Sequence, residues 1–122
     1  TVRQVQTELK NAGCTITHDW TTVQDASALE HATADERGVR QADVVVLVFS
    51  VEQHAYRGTF TEMGMALGLG KMVFALCLVD GDYKHNPFLQ LSRVQMTHSI
   101  EDVVRLIKDL QHPIDTRAPL RT

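Results

Sequence analysis

One stretch of the chain holds most of the side chains that could do chemistry: Ser50-Val-Glu-Gln-His-Ala-Tyr-Arg-Gly-Thr-Phe-Thr-Glu62. It follows an apolar run and precedes a helical pattern, which places it beyond the carboxyl end of a strand. Open parallel sheets bind ligands there. Gly58 lets a backbone come close to a ligand, and Thr59 offers a hydroxyl and an N–H at a helix start. Glu62 stands about one turn in, where the positive end of the helix dipole is expected to favour its ionised form. An ionised carboxylate in that place can act as a nucleophile or stabilise a cationic centre. From position alone, Glu62 reads equally well as a surface residue that complements the dipole.

Other constellations fail on spacing. Gly64-Met-Ala-Leu-Gly-Leu-Gly-Lys71 has the look of a phosphate loop, but Met72 follows Lys71 where Ser or Thr is required. Gly64 and Gly68 are expected instead to let a helix press on a sheet. There is no Gly-x-Gly-x-x-Gly, no Gly-x-Ser-x-Gly, and the six histidines form no metal spacing. His18-Asp19-Trp20 ends a predicted strand at the same sheet edge. It reads either as a pocket wall or as a core tryptophan.

The elements that must position these residues follow from periodicity. Val2, Val5, Leu9 and Ala12 mark one face of a helix over Thr1–Ala12, and Gly13 stands where a left-handed cap belongs. Cys14–Trp20 alternates and reads as a strand. Ser27–Gln41 reads as a helix burying Ala28, Leu29, Ala32, Val39 and Ala42, with Gly38 a weak point. Asp43–Ser50 and Met72–Val79 are unbroken apolar runs, expected of parallel strands covered on both faces. A helix over Gly58–Leu69, closed by Gly70, completes a βαβ unit. Asp80–Pro87 is a polar loop, Arg93–Met96 a short strand, and Ser99-Ile-Glu-Asp102 opens a last helix buried through Val103, Val104, Ile107 and Leu110.

The order predicts an α/β fold with a mostly parallel sheet, one domain over residues 1–112 and a loose tail over 113–122. Doubly wound sheets open with a strand, so a strand of about ten residues is expected ahead of the first helix. The chain has 122 residues, 43% of them hydrophobic and 22% charged, which excludes disorder and two full domains. Twelve basic against fifteen acidic residues leave a net charge of −3, so no nucleic acid polymer is expected as partner. No apolar run approaches the ~20 residues that span a bilayer, so no membrane partner is expected either. Cys14 and Cys77 read as reduced, buried thiols of a cytoplasmic protein.

Taken in order, the motifs carry a resemblance. Asp35-x-x-Gly38-Val39-x-x-Ala42-Asp43-Val-Val-Val, then Arg57-Gly58-Thr59-x-x-Glu62-Met-Gly64-x-Ala66-x-x-x-Gly70-Lys71-x-Val73, resembles the nucleoside 2-deoxyribosyltransferase superfamily, which includes the 2'-deoxynucleoside 5'-monophosphate N-glycosidases. Asn86-Pro-Phe88 and the Ser-Ile-Glu-Asp helix start are similar too. The resemblance implies a flavodoxin-like, Rossmann-like three-layer sandwich and an enzyme that hydrolyses or exchanges an N-glycosidic bond. It implies Glu62 as nucleophile on C1' of the deoxyribose and Asp35 as the helper that binds the sugar or assists the leaving base. Gly58 and Thr59 match the turn that contacts the sugar or its 5' substituent. Tyr56, Arg57, Trp20 and Asn86 are further candidates for substrate contact, Arg57 as partner of a 5'-phosphate. No metal or cofactor is implied. A small nucleoside or nucleotide is the implied ligand, and a homodimer or larger homo-oligomer the implied assembly.

The chain departs from the family pattern twice. The family's first strand and Gly-rich turn are not among these residues, and Tyr56-Arg57 stands where nucleotide-specific hydrolases carry serine. A non-catalytic nucleotide-binding or signalling module of the same fold is the alternative. A receiver-like phosphoacceptor fits poorly, because Asp43 begins its strand and so lies at the wrong edge.

Overall fold

In a computed structural model, residues 1–17, 27–51 and 56–111 are described. Four helices and three strands follow the order α1 (Val2–Asn11), α2 (Ala28–Gln41), β1 (Val44–Phe49), α3 (Arg57–Gly68), β2 (Met72–Cys77), β3 (Val94–Thr97) and α4 (Ile100–Gln111). Two short 3-10 turns, Asp82–His85 and Pro87–Gln90, stand between β2 and β3. The strands form one parallel sheet in the order β1-β2-β3, with Val44 opposite Met72 and Val73 opposite Val94.

The unbroken apolar runs are explained by the layers. Val45, Leu47 and Phe49 of β1 join Val73, Ala75 and Cys77 of β2 in a core with Val39 of α2 and Met63 and Ala66 of α3. The alternate residues Val48, Met72, Phe74 and Leu76 point the other way, onto Val5 and Leu9 of α1 and Val103 and Ile107 of α4. Successive side chains leave a strand on opposite faces, so a strand between two helix layers must be apolar throughout. The fold is therefore the expected α/β arrangement, a parallel sheet between helix layers.

Chain reversals follow the glycine signals. Gly13 and Gly70 have φ of 93° and 75°, a region L side chains rarely adopt. Past each, a backbone N–H reaches back into the helix, from Cys14 to Leu9 and from Lys71 to Ala66. Ser27 starts α2 with a full capping box, its hydroxyl accepting from the Glu30 N–H while the Glu30 carboxylate accepts from the Ser27 N–H. Ser99 likewise accepts from the Asp102 N–H at the start of α4.

Three expectations change. Cys14–Thr17 has no strand pairing, and Cys14 is half-buried; residues 18–20, the rest of that expected strand, lie outside the described residues. Ala28, Leu29 and Ala32 are exposed, Leu29 at 76%, because only the second half of α2 meets the sheet. Gly64 and Gly68 lie on the exposed face of α3 with open space where a Cβ would stand, so Met63 and Ala66 make the close packing instead. On the same helix Met63 is buried, and Met65 and Leu67 pack against the same cluster. Leu69 remains exposed. No helix among the described residues is long and apolar enough to cross a membrane.

Candidate active site

Asp35 and Glu62 arrive at one place from neighbouring helices. α2 ends just before β1 and carries Asp35 about two turns before its end. α3 leaves the carboxyl end of β1 through Tyr56 and carries Glu62 as its sixth residue. The two helices pack on each other, and both carboxyls line a cavity of about 260 Å³. Its other walls are the valines of β1, the buried face of α1 and residues Cys14–Thr17. Gly38 opens onto it, and the Gly38 carbonyl accepts from the Thr17 hydroxyl at 2.7 Å. A residue without a side chain there leaves room beside Asp35.

This apolar wall controls the protonation of the site. Glu62 is raised from the ordinary 4.5 to about 7, first by desolvation and then by the negative charge of Asp35. The sequence expectation of a carboxylate held ionised by the helix dipole is thereby reversed. Glu62 falls in the second turn of α3, past the first turn in which the dipole's effect is concentrated. Burial and a like charge dominate instead.

The remaining candidates separate. Tyr56 and Asn86 line a different cavity, of about 570 Å³, beyond the carboxyl ends of β1 and β2. Tyr56, Phe60 and Tyr83 wall it, with Asp80, Asp82 and Asn86 at the rim. It shares no lining residue with the cavity of Glu62. Arg57 and Gly58 are exposed on the first turn of α3, with open space around Gly58, and Thr59 is half-buried; none of the three lines either cavity. Trp20 lies outside the described residues.

Several features were not legible in the sequence. Tyr56 is the non-glycine residue with positive φ, 53°, and it caps α3 in a left-handed conformation. Its hydroxyl donates to the Ser50 carbonyl at 2.9 Å, and its ring packs edge-on against Phe49 and Tyr83. Phe49 and Tyr83 are stacked at 4.3 Å, and the Tyr83 hydroxyl donates to the Val79 carbonyl. Burial pushes the Tyr83 phenol up, with Cys77 adding to it. Ser50, the residue after β1, is 2% exposed, and its hydroxyl has no partner among the described residues. A serine closing an apolar run was the available signal for that last feature. No group of three His, Cys, Asp or Glu side chains among the described residues is arranged to hold a metal ion.

Compared with known proteins, residues 2–114 match the family described as nucleoside 2-deoxyribosyltransferase. No curated protein and no solved structure matches the chain.

Proposed function

Because the chain belongs to the nucleoside 2-deoxyribosyltransferase family, we propose that it cleaves the N-glycosidic bond of a 2'-deoxynucleoside or its 5'-monophosphate, using Glu62 as nucleophile. The observation that carries this reading is the meeting of Glu62 and Asp35 in one cavity, with the charge of Asp35 felt at Glu62. The Glu62 carboxylate attacks C1', the C1'–N bond breaks with its electron pair moving to the base, and a glycosyl ester forms. Asp35 accepts from a sugar hydroxyl, and water protonates the departing base. Water or a second base then attacks C1' and frees Glu62, giving hydrolysis or transfer. The attack needs Glu62 ionised, and a carboxylate beside it can hold the sugar while the C1'–N bond breaks.

The first turn of α3 is the second part of the proposal. Its exposed Gly58 and Arg57 suit the sugar's 5' side, with Arg57 as partner of a phosphate. A homo-oligomer in the cytoplasm is the assembly we infer from the family, and sedimentation of the purified chain measures its size.

The test is chromatographic. The chain is incubated with deoxynucleosides and their monophosphates, with and without an acceptor base, and free base or a new nucleoside is measured. Base release by the wild type and its loss in a folded Glu62→Gln variant are expected, a drop of about a thousandfold or more. Equal release by both proteins refutes the nucleophile. No release by the wild type on any member of the panel favours the non-catalytic binding module.

A further inference from the structure

α3 joins the two cavities. Phe60 walls the larger one, and Glu62, about 3 Å further along the helix axis, lines the smaller. A substrate whose sugar meets Glu62 therefore has one end within reach of the larger cavity. The wall decides which end that is. Asp80 and Asp82 are on its lining, and no lysine or arginine is. A 5'-phosphate set there would meet like charge. Tyr56 and Phe60, by contrast, offer half-buried rings on which a flat base can stack.

The polar groups around those rings mostly accept. The Tyr56 hydroxyl donates to the Ser50 carbonyl and the Tyr83 hydroxyl to the Val79 carbonyl, so both phenols are left with lone pairs. Asp80 is held by the Lys84 ammonium at 2.6 Å. Asp82 takes part in no ion pair among the described residues and stands exposed at the rim. An ionised carboxylate only accepts. The amino group at C6 of adenine or C4 of cytosine brings N–H donors to such a wall, whereas a keto base brings an oxygen there, lone pair against carboxylate. A site built to accept from a substrate N–H turns away the analogue that lacks it. Resting on the glycosidic reading above, we propose that this cavity holds the base of the substrate and that Asp82 selects 6-amino purines and 4-amino pyrimidines over their keto counterparts.

The test gives the whole 122-residue chain two matched pairs, 2'-deoxyadenosine with 2'-deoxyinosine and 2'-deoxycytidine with 2'-deoxyuridine. Within a pair, kcat/KM for base release is expected to be about tenfold or more higher for the amino member, as one charge-assisted hydrogen bond requires. Asp82→Asn, whose amide can donate to a keto oxygen, brings that ratio close to one, whereas Glu101→Gln on α4 leaves it unchanged. A ratio within a pair is untouched by loss of folded protein, so a merely structural role of Asp82 would not move it. Calorimetric affinities of the Glu62→Gln variant for the same four nucleosides read the preference without turnover, and the amino member is again expected to bind tighter. Equal values within every pair that is bound, a preference for the keto member, or an unchanged ratio in Asp82→Asn overturns the proposal. So does the absence of saturable binding of all four up to about 10 mM, weaker than useful small-molecule binding. Base release without the preference removes the selection and leaves the glycosidic reading standing; the preference in binding without any release does the reverse.

Discussion

At the scale of single residues, the site is an acid held against its preference. Glu62 titrates near 7 in the folded chain and near 4.5 when the chain is unfolded. Between those values the folded state binds more protons, so stability falls as pH rises through that window. Below about 4.5 the carboxyl is protonated in both states and costs nothing; above about 7 the full cost of a buried charge is present. Glu62→Gln, neutral at every pH, is therefore expected to be more stable than wild type at pH 8, by about 1–3 kcal/mol. The gap should close toward pH 4.5. Urea denaturation at several pH values measures it, and an unchanged gap across the window contradicts the burial of this group. The same titration shapes turnover under the proposed mechanism: base release should climb with pH through about 7 as Glu62 ionises. Asp35→Asn removes the like charge and moves that limb to lower pH, while slowing release by withdrawing the carboxylate that holds the sugar.

At the scale of elements, the carriers of the two carboxyls are built unequally. α2 is secured at its start by the Ser27–Glu30 box, and at its end the Arg40 carbonyl accepts from the Lys71 ammonium at 3.1 Å. Its first half is exposed, so the cap must do what packing does elsewhere. Ser27→Ala should cost about 1 kcal/mol in thermal or urea denaturation without moving the pH limb set by Asp35 and Glu62. α3 has no side-chain cap. Its start is fixed by Tyr56, left-handed and clamped between the Ser50 carbonyl and the Phe49–Tyr83 stack. Most of these elements were readable in advance. Glycine at Gly13 and Gly70 and the Ser-x-x-acid starts of α2 and α4 are local devices, and local devices are legible one residue at a time. Leu29 was misassigned because periodicity reports which face is apolar and not how far along the helix the sheet reaches.

For the molecule as a whole, β2 is the centre. It is paired with β1 on one edge and β3 on the other, all six of its residues are buried, and helices lie over both faces. Backbone groups so enclosed open only when the whole domain unfolds. Native-state hydrogen exchange should therefore find its slowest amides in Val73–Leu76, with β3 and the start of α2 exchanging sooner. Slower exchange in α1 than in β2 would contradict this ranking.

The sequence alone determined the sheet and its helix layers, because the two runs from Asp43 and from Met72 allow no solvent on either face. It also supplied the ordered motifs that resemble one family, and the match to that family over residues 2–114 agrees with the resemblance. Tertiary structure alone decided the protonation of Glu62 and the division of the candidates between two cavities. Desolvation and the field of a neighbouring charge depend on what stands within a few ångströms in space, and Asp35 is twenty-seven positions away from Glu62 along the chain. Tyr56, six positions before Glu62, opens instead onto the other cavity. Distance along the chain said little about which side chains share a site, because a helix turns neighbours in sequence toward different faces while packing brings distant ones together.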